Sequence, residues 1–432
     1  MKKMLVLALA CAMMIMVSIP ASAVTDDHTL NGVPLEKGIY EGQTIRIASP
    51  WATDEVPLEA TEFMEHTGLN IIFETIPAGD DANGNAIKQY IINAVAANDC
   101  PDVIYAANFT IPLWVDKNIV QPWNDYIDFS QGLETLGISN ICETLFSMDG
   151  KIYGIGDLTA PLWNSSVIFY RISAFEDAGL DDPYTLFQQG EWTWDVFSEM
   201  CQELTYDGGS GTIDHYGLTT WFPNEPFVTS NGGSAVEIVD GKPVYALNSP
   251  EAVFGLNYSL EMPAGPDLSV AGPDAYFLDG SAAMYYEGWW FIDTAYEYLG
   301  DDLGFVPFPL GPDYDETPCR DYGEWCWVYH LSSTCEAPQA AADYLLYLWA
   351  PKQYDDPARM VPADYSMYGG EEKYREILTW AGYTAMDVAR GYGDLSDVLY
   401  ENVWWSLGSD TPANLTESIA QEAQAIIDDV MK

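Results

Sequence analysis

Two apolar periods alternate along the first third of the chain. Ile45-Arg46-Ile47-Ala48 has the two-residue period of a strand and stops at Ser49-Pro50-Trp51. Leu58, Phe63 and Met64 then fall on one side of a helix expected over 58–66, with Gly68 placed to end it. A second strand follows over 69–76, rich in Ile and Phe and closed by Pro77. Beyond a Gly/Asp/Asn loop over 79–85, Ile87, Ile91, Ala94 and Val95 return at helical spacing, and Asp102-Val103-Ile104-Tyr105 reads as a third strand. Strand–helix alternation of this kind builds a parallel sheet with crossover helices. Ligands in such sheets sit beyond the carboxyl ends of the strands, which makes the loops holding Trp51 and Asn108 candidate binding loops.

Further on, Val167-Ile168-Phe169-Tyr170 reads as a strand leaving one lobe for another. Residues 172–206 read as helical with Trp192 and Trp194 inside, 252–261 as a helix and 282–286 as a short buried strand. Two more strands are expected over 303–309 and 325–331, then a helix over 337–348. The tail over 416–431 is amphipathic, with Ile419, Ala423, Ile426, Ile427 and Val430 on one stripe. At the other end, Lys2 and Lys3, an apolar run over 4–19 and Ala21-Ser22-Ala23 form an export signal over 1–23, which is set apart from the fold. Its apolar run is shorter than the ~20 residues that span a bilayer. An uncleaved anchor is the alternative. A lipoprotein would use Cys11, but Ala8-Leu9-Ala10-Cys11 lacks the usual Leu three residues before the cysteine.

The chain has 432 residues, of which 66 are Asp or Glu and only 16 Lys or Arg, a formal charge of −50. That balance excludes a phosphate-tracking nucleic-acid binder and is repelled by an anionic membrane surface. Hydrophobic residues make up 48% and charged ones 19%, so the acids clothe a packed body and not a disordered tail. The length suits two or three domains. Removal of the signal leaves Cys100, Cys142, Cys201, Cys319, Cys326 and Cys335. Cys319 and Cys326 flank one short loop and are the pair suggested for a disulfide, against the alternative of buried thiols. His28, His66, His215 and His330 are scattered without ligand spacing and there is no CxxC, so no metal or other cofactor is expected.

Several segments resemble the extracytoplasmic solute-binding proteins of ATP-driven importers, in the carbohydrate branch that includes maltose-binding protein. Cys100-Pro101-Asp102-Val103-Ile104-Tyr105 is similar to the family's "PDV" strand, and 113–122 to its "GLL.PL" segment. Asp149-Gly150-Lys151-Ile152-Tyr153-Gly154-Ile155 resembles the "GK.YGVP" entry to the first hinge crossing. Asn231-Gly232-Gly233 and 280–290 resemble the "GG" and "G.AAM...G.W" stretches. The likeness runs in family order from about Thr44 to the C-terminus. It implies an α/β fold of two Rossmann-like lobes joined by a multi-crossing hinge, the type II periplasmic-binding-protein architecture. The N-terminal lobe would take 24–164 and 320–352, and the C-terminal lobe 165–319 and 353–432. Ligand touching both lobes would drive closure.

A sugar offers hydroxyls that need paired hydrogen bonds and flat C–H faces that pack on rings, so its cleft needs indoles or phenols edged by Asp, Asn or Glu. The chain supplies 15 Trp, 28 Tyr and 16 Phe. The resemblance places Trp290 at a sugar-stacking position, with Trp289 where the family often has Pro. It implies ligand contacts at Asn108 and at Trp51 with Asp54, and at Trp163 and Asn164 on the first crossing, Asn164 replacing a family carboxylate. Trp221 and Phe227 precede Asn231, Tyr322 and Trp325 surround the late crossing with Trp327 on the same strand face as Trp325, and Trp404 precedes the terminal helix. Core packing, a helix N-cap for Asn108 and hinge packing for Trp163 and Asn164 are the structural alternatives. Asp207 to Asp214 resembles a calcium loop but puts Tyr206, Gly208 and Ser210 where ligands belong and Gly217 where the closing Glu would be, so no calcium is expected.

No G-x-S-x-G, H-E-x-x-H or Walker motif is present, and an excess of acids carries no information about a glycosidase pair, so the chain is not expected to be an enzyme. The expectation is a monomeric exported protein, periplasmic or at the cell surface, that binds a mono- or oligosaccharide and delivers it to the transmembrane subunits of an ABC permease. A glycan-binding sensor or adhesin of the same fold, or a binder of a non-sugar solute, is the alternative.

Overall fold

A computed structural model describes residues 28–430 apart from 31–32, 54, 78–84, 140, 145, 158–159, 161, 163–164, 222, 241, 313–321, 324–325, 350–364, 382–384 and 387. The export segment and Cys319 of the suggested cysteine pair lie outside the described residues.

The elements expected near the start form: β1 (Thr44–Ser49), α1 (Leu58–Thr67), β2 (Asn70–Thr75), α2 (Asn85–Ala96) and β3 (Val103–Ala107), and they are followed by α3 (Ile111–Asp116), β4 (Val120–Gln121) and β5 (Gly154–Ile155). Gly68 ends α1 in the left-handed region at φ 76°, donating its N–H to the Met64 carbonyl. The next body is built from β6 (Ser166–Arg171), α4 (Ile172–Ala178), α5 (Pro183–Gln189), α6 (Trp194–Glu203), β7 (Tyr216–Thr220), α7 (Glu225–Ser230), α8 (Pro250–Ser259), α9 (Pro273–Asp279), β8 (Ala282–Gly288), α10 (Ile292–Leu299) and β9 (Leu303–Val306). Then come β10 (Trp327–Ser332), α11 (Pro338–Trp349), α12 (Glu371–Ala381), α13 (Leu395–Asn402) and α14 (Ala420–Val430).

Two expected helices are broken. The stretch over 172–206 is three helices, because Gly179 and Gly190 cap the first two with left-handed backbone and Pro183 opens the second. The tail divides at Ile419 into Pro412–Ser418 and α14.

The first sheet has the order β2-β1-β3-β10-β4, with β5 also on β10. β1 runs parallel to β2 and β3, as strand–helix alternation requires, while β10 is antiparallel to β3, β4 and β5. The second sheet has the order β7-β8-β6-β9, with only β7 and β8 parallel. The buried clusters divide in the same way. One large cluster joins residues between Leu30 and Ile155 with others between Cys326 and Trp349. Three further clusters draw on residues from Leu162 to Phe308 and from Tyr368 to Ile427. Leu162, expected with the first lobe, is buried with Val167 and Phe169 of the second. The chain therefore passes between two α/β bodies after Ile155, after Gly311, whose N–H is still bonded to the Ser230 carbonyl, and after Trp349.

Phe63 on α1 holds the two separate pieces of the first body together. It is fully buried with its ring centroid 5.3 Å from Tyr344 and 5.4 Å from Tyr347, both on α11. A Phe63→Ala variant is expected to lose about 3–5 kcal/mol in denaturant unfolding. His330 on β10 is buried with Nδ1 3.2 Å from the Tyr153 carbonyl oxygen and Nε2 3.3 Å from that of Ala106. Burial pushes its pKa down from 6.5 to about 4, against the pull of the carbonyls. Between those values the unfolded chain binds a proton that the folded ring refuses, so the stabilisation is complete above pH 6.5 and fades as pH falls to 4. From pH 7 to pH 4 the wild type should lose about 3 kcal/mol relative to a His330→Leu variant, measured by denaturant unfolding at each pH.

Candidate functional site

On the first sheet the carboxyl ends of β1 and β3 meet the start of β10. Trp51, just past β1, is 57% exposed. Its ring stands edge-on to Trp327 at 4.3 Å and to Tyr105 at 6.0 Å between centroids. Tyr105 in turn lies 4.5 Å from Tyr329, the residue opposite it on β10. Burial raises the pKa of both phenols, Tyr329 to about 12, so they remain neutral hydrogen-bonding groups. The result is a graded aromatic wall, half-buried at Tyr329 and open at Trp51.

Asn108, just past β3, is buried and does not cap the following turn, Asn108–Thr110. Its Oδ1 accepts from the Cys326 N–H at 2.9 Å and its own N–H donates to the Cys326 carbonyl at 2.8 Å, fastening β3 to the approach of β10. Its Nδ2 is buried and finds no acceptor among the described residues.

On the second sheet the carboxyl ends of the parallel neighbours β7 and β8 carry Trp221 and Trp290, 54% and 58% exposed. Trp289 is the correction here. It is buried, edge-on to Phe169 at 5.8 Å and Phe305 at 5.1 Å, because the tight turn Trp289–Phe291 sends one indole inward and the next outward. Glu287, the last side chain of β8, is buried too. It accepts from the Tyr285 hydroxyl at 2.6 Å and the Gly288 N–H at 2.7 Å. Burial raises its pKa, opposed by those donors and by the Trp290 indole. Sequence reasoning missed Glu287, although a lone acid closing an apolar strand is itself a signal.

Other expected contacts are interior groups. Phe227 is buried, 5.1 Å from Trp194 and 5.0 Å from Phe308, because α7 buries each of its residues. Asn231 is buried, with Nδ2 donating to the Glu251 carbonyl at 3.1 Å and its side chain packed over Gly311. Trp404 is half-buried against the cluster formed with α13 and α14, while its neighbour Trp405 is the exposed ring. Tyr322 contributes backbone to a short strand, Tyr322–Gly323, parallel to Ala385–Met386. Asp54, Trp163, Asn164 and Trp325 lie outside the described residues.

A cavity of about 610 Å³ opens away from these rings, lined by Trp192, Trp194, Asp195, Phe254, Tyr258 and Phe308 among others. All its walls come from the second body, so it is not a space between the two. In the loop resembling a calcium site, Asp207 Oδ1 accepts the N–H groups of Gly209 and Gly211 and Asp214 Oδ1 that of Gly208, so backbone amides occupy the carboxylates. Among the described residues no cluster of His, Cys, Asp and Glu is arranged for a metal, and no helix is long and apolar enough to cross a membrane.

The bodies touch beside Asn108. The Asn108–Thr110 turn and α3 abut the Ala389–Gly391 turn, and α3 also abuts α14. Lys88 on α2, buried, donates Nζ to the Arg390 carbonyl at 2.6 Å. A Lys88→Met variant removes this donor across the two bodies and is expected to cost about 1–3 kcal/mol of unfolding free energy.

Solved structures with this architecture are solute-binding proteins. An ABC substrate-binding protein from Listeria monocytogenes in complex with cycloalternan matches with a TM-score of 0.60 at 17% identity, covering 90% of this chain and 99% of that one. A cyclo/maltodextrin-binding protein complexed with maltotetraose matches at 0.62 and 16%, covering 90% and 97%. The extracellular solute-binding protein from Staphylococcus aureus in complex with maltose matches at 0.64 and 14%, covering 90% and 98%. These likenesses establish the fold, the type II periplasmic-binding-protein arrangement of two α/β lobes. Residues 49–355 match the model of the bacterial extracellular solute-binding proteins, and over that span the chain belongs to this family.

Proposed function

We propose that the chain is the extracytoplasmic binding component of an ABC importer, which holds a mono- or oligosaccharide between its lobes and delivers it to the membrane permease. The lobes follow those assigned from the sequence, 24–164 with 320–352 and 165–319 with 353–432, except that Leu162 packs with the second, and the protein acts as a monomer without catalysis. The observation that carries the reading is the pairing of open indoles: Trp51 beyond the first sheet, Trp221 and Trp290 beyond the second, each more than half exposed. Exposed indoles at strand ends lose contact with water only when something flat and partly apolar covers them, and a pyranose ring meets that description. The complexes of similar folds with cycloalternan, maltotetraose and maltose support the same ligand class. Membership of an extracellular family agrees with an export signal over 1–23.

Titration of the full chain with a panel of neutral mono-, di- and oligosaccharides, followed by tryptophan fluorescence and calorimetry, should give saturable binding for at least one. Trp51→Ala and Trp290→Ala should each weaken that binding by about tenfold or more, a loss of roughly 1.4 kcal/mol or above. A flat response across the panel overturns the reading.

A further inference from the structure

We infer that Glu287 and Gly288 form a positioning pair that fixes the Trp290 indole in the pose it offers to ligand; the inference rests on the sugar-stacking role proposed for that ring. β8 is buried at every position from Ala282 to Gly288, and its only charged side chain is Glu287 at the very edge. A buried carboxylate must be met by donors. Two are fixed parts of the strand: the Tyr285 hydroxyl at 2.6 Å on one oxygen and the Gly288 N–H at 2.7 Å on the other. The donor assigned to it as a third partner is the Trp290 indole, whose Nε1 lies over the neighbouring residue, 2.7 Å from where a Cβ of Gly288 would stand. Since an indole N–H can only donate, its direction is set by where that carboxylate sits.

Gly288 supplies the other half of the hold. Its backbone, at φ −65° and ψ 151°, is an extended conformation open to any residue, so the chain path does not call for glycine. The indole does. A Cβ at this position would lie 2.5 Å from Trp290 Cδ1 and 2.7 Å from Nε1, well inside contact distance. The pyrrole edge of the ring therefore folds directly over the Gly288 backbone, beside the residue whose N–H the Glu287 carboxylate accepts, while the ring remains 58% exposed overall. Phe291 stands edge-on at 6.0 Å and Trp289, buried on the preceding position, anchors the turn. An exposed tryptophan without such a hold samples several rotamers, and a ligand stacking on it has to freeze them; a ring already fixed spares the ligand that loss.

The test uses the full chain labelled with 15N-tryptophan, first without sugar. The Trp290 indole N–H resonance is identified by its loss in Trp290→Phe. In Gly288→Ala, and separately in Glu287→Gln, this resonance should shift and broaden while the other indole resonances stay. Affinity for the bound sugar should fall about tenfold in both variants, as expected for loss of a charge-assisted hold. An unmoved Trp290 resonance in both variants overturns the inference, as does a moved resonance with unchanged affinity. A shift of all indole resonances together marks general loss of structure and also counts against it. If Gly288→Ala fails to fold, Glu287→Gln decides alone, since it keeps the side-chain volume. If the wild type binds no sugar, the proposed function fails, and the resonances measured without sugar still decide whether the pair holds the ring.

Discussion

The first sheet is incomplete until β10 enters it. This strand is laid antiparallel between β3 and β4 and also carries β5, so β4 and β5 have a partner in this sheet, and β3 its second one, only once the chain has built the second body and come back. Pairing at that sequence separation costs loop-closure entropy before any contact repays it, which makes the two bodies interdependent in folding. The same insertion builds the first half of the candidate site. It sets Trp327 opposite Ala107, draws Trp51 against Trp327, and binds Asn108 to Cys326 through two hydrogen bonds. It also brings α11 behind it, so that Tyr344 and Tyr347 close over Phe63.

What was legible in the sequence follows the range of the interactions concerned. β1, α1, β2, α2 and β3 could be read because period and punctuation are local: Gly68 and Pro77 mark ends that the neighbouring residues alone determine. The return of 320–352 to the first lobe was read through the family resemblance, but the place of β10 between β3 and β4 was not, since strand pairing leaves no mark on either partner. The breaks at Gly179 and Gly190 were visible as glycines, but the helical character of 172–206 hid them. In the candidate site, Trp51, Trp221 and Trp290 stand exposed, as rings in loops after strand ends do by the geometry of the fold. Trp289 and Phe227 were misplaced for one reason: a motif locates a segment, whereas the side of a turn or helix that faces the core depends on the other elements packed there.

Cations are scarce in this chain, 16 against 66 acids, and several of those the structure describes are engaged in holding backbone and strands. Arg46 spans from Glu74 on β2 to Asp99 ahead of β3, Arg171 donates to the Phe277 carbonyl, and Lys88 reaches the Arg390 carbonyl. Lys373 sits over the rings of Tyr184 and Phe305, where burial lowers its pKa to about 8. Trp51 is instead packed against neutral rings, those of Trp327 and Tyr105. Under a strongly negative field, neutral walls of this kind favour an uncharged ligand over a carboxylate or phosphate, which would have to approach against the field without a paired guanidinium to receive it.

Adjacent tryptophans then have a use beyond their number. In Trp289-Trp290 one indole is driven into the core between Phe169 and Phe305 while the next stands in the open, and Trp404-Trp405 repeats the arrangement, half-buried and exposed, at the other end of the second body. A single exposed ring on a loop would be as mobile as the loop. A ring whose neighbour along the chain is a buried anchor inherits the rigidity of the core, and in β8 that core is continuous from Ala282 to Gly288. The pose of the exposed Trp290 ring is therefore set by packing beneath it. Removing the Trp289 ring would loosen the turn from below, just as a side chain at position 288 would displace the indole from above.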